Sequence, residues 1–527
     1  MHTTRRIAAV AAAGVLVLAY SVPAGAAGTA LVRVSPGDPF AACTIGGVAS
    51  SVLYPGAEVE PDLAVDRWYP GRAVGVWQQD RWNDGGAHGI GVAWTADGGR
   101  TFGETVLPVD ACAPGGLPYE RASDPWVSFG PDGTAYADAL AFDGTTARNT
   151  VATAVSRDGG RTWQHPTVLI DDTSIQFFND KNSITADPVR PGTAYALWDR
   201  LDGGPTGTQV LTGPTLLSVT RDGGRTWSTP RDIVPTGQFE QTIGNVIVAD
   251  PRTGALYDFF DDLVYTDGSA TTVASARYEV VRSFDAGRTW SAWVPVAVDT
   301  SVADVDPNTG AALRTGSGLP SVAIDPATGR LYLAYEGSAF TGGRYDQVLL
   351  VTSGDRGLNW SRPVRVSAVA ASPAFAPTVA VALDGTVGVS YYDLRTLQPG
   401  NTTTLPTSTW LATSAGGGQR FDRERPIAPV FDWLAAPRAG GFFLGDYEGL
   451  AAEGTGFRAL FVTANSDQPD NRTDVYSGHF AASGGTPVPG TAVPGTAVPG
   501  TAVPGTAVPG IAAAARPGVR AGSPRAH

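Results

Sequence analysis

Apolar positions along this chain fall in short runs broken by turn signals, with no long helical face. A strand–turn–strand unit recurs at Asp62 to Trp77, Pro125 to Leu140, Ser183 to Trp198, Val246 to Phe260, Ser321 to Tyr335 and Thr378 to Tyr392. A looser copy spans Gly449 to Val462. Each unit sets β-branched or aromatic residues on both sides of a turn such as D-P-x-T-G or P-D-G, which predicts a β-hairpin. No sustained 3.6-residue apolar pattern follows the N-terminus, so the fold class expected is all-β.

A second repeat lies between the hairpins. Thr95 to Phe102, Ser156 to Trp163, Thr220 to Trp227, Ser283 to Trp290 and Ser353 to Trp360 share the pattern Ser/Thr-x-Asp-x-Gly-x-x-Trp/Phe, an Asp box. A degraded copy, Ser414 to Phe421, has Gly416 in place of the Asp. The Asp positions recur at steps of 61, 64, 63 and 70 residues. Asp in a tight turn accepts hydrogen bonds from nearby N–H groups, Gly supplies the backbone angles, and the aromatic ring buries against a neighbouring sheet. The box is therefore read as a structural turn joining the third and fourth strands of a four-stranded unit. Such units, repeated about every 60 residues, predict a single β-propeller of four-stranded blades over residues 55–482. Seven hairpins favour seven blades, with six as the alternative. A strand from the lead-in, residues 27–54, is expected to complete the last blade and close the ring.

Composition changes the picture at the ends. Residues 1–26 read as a signal peptide: Arg5-Arg6, an apolar stretch from Ile7 to Tyr20, and the small-residue site Ala24-Gly25-Ala26. That stretch is too short for a membrane span, so a secreted, extracellular protein with no membrane span after signal removal is expected. Residues 483–527, dominated by repeats of P-G-T-A-V, have nothing to bury and read as a disordered tail. Cys43 and Cys112 are the chain's two cysteines; in an oxidising compartment they suggest one disulfide, with two buried thiols as the other possibility. The formal net charge of -13 argues against a nucleic-acid partner. No histidine spacing suits zinc, and Asp304 to Gly310 reads as a turn, so no metal site is assigned. No cofactor is expected unless a structural calcium ion.

The repeat alignment also predicts what lines a central funnel. First-strand starts offer Glu60, Asp124, Asp180 with Lys181, Glu240 with Gln241, and Asp446 with Tyr447. Second-strand ends offer Asp80 with Arg81, Asp199 with Arg200, Asp261 with Asp262, Glu336, and Asp393 with Arg395. Trp77, Trp82, Trp126 and Trp198 fall among them. Carboxylates beside aromatic faces suit sugar recognition, whereas a solvated channel rim would carry polar residues for no chemical reason.

On these motifs the chain resembles the sialidase superfamily of glycoside hydrolases. Val59-Glu60-Pro61, Gln79-Asp80-Arg81 and Asn83-Asp84-Gly85 stand, in order, where that family carries its opening motif, its Glu-Ala-Arg strand end and its Asp-x-Gly loop. The resemblance implies that Arg81 and Arg344 bind a substrate carboxylate, Asp84 is the general acid/base, and Tyr447 is a nucleophile with Glu240 as its base. Tyr391 is the alternative Tyr. Asp80, Trp82, Asp124, Glu336, Asp393 and Arg395 complete the expected substrate-binding set. The opening arginine of the family is missing, with Glu60 nearby, and the strand where a further arginine is expected ends in Asp261-Asp262. The function implied is a secreted, monomeric exo-α-sialidase-like glycosidase acting on terminal sugars of extracellular glycans. The alternative is a non-catalytic propeller binding glycans or proteins through the same funnel.

Overall fold

The computed structural model describes residues 31–487; the segment read as a signal peptide, residues 1–26, and the part of the expected tail from residue 488 on lie outside the described residues. Those described form an all-β protein whose one helical element is the 3-10 turn Trp433–Ala435. Among them no helix is long and apolar enough to cross a membrane.

The strands pair as consecutive antiparallel meanders. Their first strands are Leu53–Val65, Arg121–Phe129, Phe177–Ala186, Glu240–Ala249, Ser321–Ile324, Ala374–Val381 and Gly449–Glu453, seven in all among the described residues. The second meander shows the plan: Arg121–Phe129, Ala135–Phe142, Asn149–Ser156 and Gln164–Asp172, each antiparallel to the next. The seventh takes its fourth strand from the lead-in. Val32 and Arg33 pair with Ser477 and Tyr476, and Arg33 makes an ion pair with Asp474 at 2.8 Å.

Packing turns the meanders into a closed ring. Each neighbouring pair shares one apolar cluster, from Val74, Val76, Val127 and Ala137 between the first and second to Ala380, Leu411, Phe457 and Phe461 between the sixth and seventh. Leu63, Trp77, Leu460 and Val462 then join the seventh to the first. The strand faces turned to a neighbour are mostly apolar, with polar links near the axis such as Ser183 Oγ donating to Asn245 O and the Val127 N–H donating to Asp62.

The turns from Thr95, Ser156, Thr220, Ser283 and Ser353 lie between third and fourth strands and share one hydrogen-bond pattern. Asp97 accepts from the N–H groups of Arg100 and Thr101 at 3.0 Å, and Thr101 Oγ1 donates to it at 2.6 Å. Asp222, Asp285 and Asp355 repeat the pair of N–H contacts. At the degraded copy only the Gly418 N–H to Ser414 Oγ contact, 3.1 Å, remains. The box aromatics face the preceding meander: Trp163 packs on the first–second cluster, Trp227 on the second–third.

Cys43 and Cys112 form a disulfide with 5.7 Å between Cα atoms, tying the lead-in to the connection after the first meander. One difference from the sequence reading lies at the C-terminal edge. Thr486 and Pro487, assigned to the tail, pair with Glu424 and Arg423 on the outer strand of the sixth meander.

Candidate functional site

Five first strands carry a bulge at the same place. The register shifts at Val59/Asp62, Ser123/Trp126, Asp180/Ser183, Ile243/Val246 and Phe375/Thr378. There Glu60, Asp124, Lys181, Gly244 and Ala376 adopt positive φ of 57°, 49°, 44°, 69° and 48°. A non-glycine residue in this region costs about 1–2 kcal/mol. The bulges re-aim side chains toward the ring axis, and in the first three meanders those side chains are charged.

They meet around one ammonium. Lys181 Nζ lies 2.6 Å from Asp446, 3.0 Å from Asp124 and 3.5 Å from Glu60. Arg314 clamps Asp446 from the other side, its Nε at 2.8 Å from Oδ1 and its NH2 on Oδ2. Arg314 and Arg81 both stack on Phe443, at 4.4 and 5.1 Å from the ring centre. Gln78 accepts from Arg81 NH1 at 2.8 Å and donates to Glu60. Three buried carboxylates therefore face three cations. Gly445 and Gly316 permit the close approach: a Cβ on the first would fall 2.8 Å from Glu60 Cα, and on the second onto the Asp446 carbonyl.

The cluster splits the protonation behaviour of its acids. Burial pushes Asp446 up, but Arg314 and Lys181 outweigh it and hold its carboxyl well below the usual range. Burial, then the charge of Asp124, pushes Glu60 up to about 8. Burial alone pushes Asp62 up to about 7 against the Val127 N–H that it accepts at 2.8 Å.

A cavity of about 320 Å³ lies on the axis beside this cluster, lined by residues of all seven first strands. Asp62, Trp126, Lys181, Glu336, Asp446 and Tyr447 supply its functional groups. The Trp126 and Tyr447 rings lie 5.1 Å apart and give it an aromatic wall.

The residues assigned by resemblance are only partly brought together. Tyr447 reaches the cavity, but its hydroxyl donates to the Pro125 carbonyl at 3.1 Å, not to Glu240. Glu240 instead accepts from the Gly237 N–H and faces Asp262, so the expected nucleophile–base pair is corrected. Asp84 is bound on both oxygens, by Arg121 at 2.8 Å and Ser51 at 2.5 Å. Arg121 also stacks on Trp82 and donates to Gly46 and Gly85. Asp84 and Trp82 are thus part of a latch on the lead-in and not a free acid and a sugar platform. Asp80, beside them, accepts from the Gly56 N–H and contacts His88 at 3.1 Å. Arg344 is exposed, its Nε donating to Thr341 O, and it is not among the residues lining the axial cavity.

Tyr391 has a partner of its own: it donates to Glu424, which also holds Arg395 at 2.5 Å. Asp393 pairs with Arg395 and accepts from Trp410 at 2.9 Å. This group sits on the sixth meander, separate from the axial contacts of Lys181. Arg314 was missed by the sequence reading because it lies in a long connection outside the repeat. Glu424 lies on the outer strand of the sixth meander, Arg423–Pro426, where the repeat carries no signal that marks a site.

No family model matches the chain, and no curated protein matches it. Solved structures similar to it include a protein of unknown function from Dyadobacter fermentans at 14% identity and TM-score 0.43, covering 68% of this chain and 94% of that one. An α-L-arabinanase from Penicillium chrysogenum is 15% identical with TM-score 0.40, over 67% and 92%. A Hadza microbial sialidase is 12% identical with TM-score 0.42, over 82% and 94%. The solved structures similar to this chain thus include both sialidases and α-L-arabinanases.

Proposed function

We propose that the chain is a secreted glycoside hydrolase built on a seven-bladed propeller, acting on terminal sugars of extracellular glycans from its axial cavity. One observation carries the reading: Asp62 and Asp446 line the same cavity, the first with no cation beside it among the described residues and pushed up to about 7 by burial, the second held well below the usual range by Arg314 and Lys181. A pair of carboxyl groups driven apart in this way supplies an acid and an ionised partner at one pH. Asp62, with a proton held to about pH 7, donates to the leaving glycosidic oxygen as the anomeric bond breaks. Asp446, kept charged by Lys181 and Arg314, stabilises the positive charge that develops on the sugar. Trp126 and Tyr447 offer faces for the ring, and a water molecule then bonds to the anomeric carbon and returns a proton to Asp62.

A neutral sugar fits this site better than a sialoside. Arg314 is spent on Asp446, Arg81 on Gln78 and Phe443, and Arg344 is on an exposed loop. A substrate carboxylate would have to displace Asp446 to reach a guanidinium. The second reading, a binding propeller, is favoured by one feature: no carboxylate accepts from the Tyr447 hydroxyl.

The test is release of a fluorogenic aglycone by the purified secreted protein, using an α-sialoside, an α-L-arabinofuranoside and neutral pyranosides. Turnover of a neutral glycoside, lost in Asp62→Asn with the fold intact, supports the reading. Turnover confined to the sialoside overturns the preference for neutral sugars, and silence across the panel leaves the binding propeller.

A further inference from the structure

A second carboxylate group shares Glu336 with the wall of the axial cavity but makes no contact with Lys181. Asp304 sits in the connection that joins strand Val294–Val298 to Ser321–Ile324. Glu336 is near the end of strand Leu331–Gly337, and Asp346 immediately precedes Gln347–Ser353. One oxygen from each lies within 4.8 Å of the others, and Asp304, Glu336 and Asp346 are only 7%, 2% and 0% exposed.

The hydrogen-bond donors at this group are too few. A single hydroxyl, Thr315 Oγ1, faces both Asp304 at 2.7 Å and Glu336 at 3.1 Å, and it has one hydrogen to give. The Ala376 N–H serves Glu336 at 2.7 Å and the Val302 N–H serves Asp346 at 2.9 Å. The other oxygen of Asp346 is enclosed with no partner at all. Among the described residues none of the three acids has an ion pair with Lys, Arg or His, in contrast to Asp446. Buried charge without a partner is expensive, so the group must be neutralised by protons or by a cation.

We propose that Asp304, Glu336 and Asp346 bind one calcium ion, which fixes the 299–319 connection and, through Thr315, the adjoining Arg314 on Asp446. The donor set is all oxygen, with several carboxylates, no nitrogen and no sulfur. That chemistry selects a hard cation, and a flexible site of three segments suits calcium better than the strict octahedron magnesium demands. The ion lies where the connection departs from the ring, and Thr315 touches two of its ligands while Arg314 reaches the axis.

The experiment uses the full secreted chain stripped with EDTA and then titrated with calcium chloride by calorimetry. The expected result is one equivalent bound and a melting temperature raised by calcium but not by equal magnesium. Asp346→Asn and Glu336→Gln remove one charge at little change in shape and should fold without the ion. Each should bind calcium about 100-fold more weakly or worse. Trypsin cleavage after Arg314, followed by mass, should slow on adding calcium to the parent chain and be unaffected in Asp346→Asn. No saturable binding to the folded chain overturns the site. Parent-like affinity in both variants overturns its location, an equal response to magnesium overturns the choice of ion, and calcium-independent cleavage overturns the link to Arg314.

Discussion

Lys181 and Asp446 are 265 residues apart in sequence and 2.6 Å apart in the fold. That contact joins the third meander to the segment entering the seventh across the ring axis, where the first strands converge. Its stability follows from the whole cluster. Burial disfavours the ammonium, but Asp124, Asp446 and Glu60 together outweigh that and keep it charged.

Lys181→Met is therefore expected to lower unfolding stability by about 3–5 kcal/mol, because it leaves buried carboxylates short of a cation. Urea unfolding at pH 8 measures it. The loss should shrink at pH 5, well below the value of about 8 to which burial and Asp124 push Glu60. A loss below about 1 kcal/mol at both values would show that Arg314 alone neutralises the axis.

The second prediction concerns pH. Burial raises Asp62 to about 7, Asp110 to about 7, Glu60 to about 8 and Asp346 to about 9. Each binds its proton more tightly in the folded chain than in the unfolded one. The stability this contributes is complete below the unfolded carboxylate range, near pH 4, and is lost as pH rises through the folded values. For Asp62 alone the loss is on the order of 4 kcal/mol. Calorimetric melting at pH 5, 7 and 9, with EDTA present, should show the melting temperature falling steadily. A flat profile between 6 and 9 would contradict the buried, protonated state of these acids.

Asp84 gives the sharpest contrast between resemblance and contacts. Its carboxylate completes a latch with Arg121, which is 1% exposed, and with Ser51 of the lead-in. Asp84→Ala should cost about 2–3 kcal/mol in urea unfolding by stranding the guanidinium. Turnover of any glycoside that the parent hydrolyses should stay within about twofold when assayed well below the melting temperature. A drop of about 100-fold or more would return Asp84 to the role of general acid.

How much of this was legible in the sequence depends on the repeat. The hairpin and box positions gave the strands, and aligning them placed Glu60, Asp124, Lys181 and Asp446 at strand starts facing a common axis. What they form there was not legible, because a one-residue bulge decides where each side chain points and leaves no composition signal in Glu60 or Asp124. Arg314 lies in a connection with no repeat to align it. Asp304 reads as part of an ordinary turn because its partners, Glu336 and Asp346, lie 32 and 42 residues further on, at the ends of different strands of the next meander. The sialidase-like placement of Glu240 failed for a related reason: similar position along a strand does not bring two side chains together across a ring.

The degraded box offers a test by addition. Ser414 keeps its contact with the Gly418 N–H, 3.1 Å, but at Gly416 there is no carboxylate to receive the turn's other donors. In the intact copy at Asp158 the carboxylate accepts from the Thr162 N–H at 3.0 Å and Oγ1 at 2.7 Å, and from Ser156 at 2.8 Å. A Cβ built on Gly416 meets nothing within 4 Å, and this glycine is not among those with positive φ. Gly416→Asp is thus free of steric objection and also removes the backbone entropy that glycine carries in the unfolded chain. It should raise unfolding stability by about 1 kcal/mol, while Asp158→Ala lowers it by about 1–2 kcal/mol. Chemical unfolding of the two variants beside the parent chain measures both. If Gly416→Asp is neutral or destabilising, the sixth turn is held by Phe421 packing on the fifth–sixth cluster, and the Asp of the other boxes matters less than the aromatic that follows it.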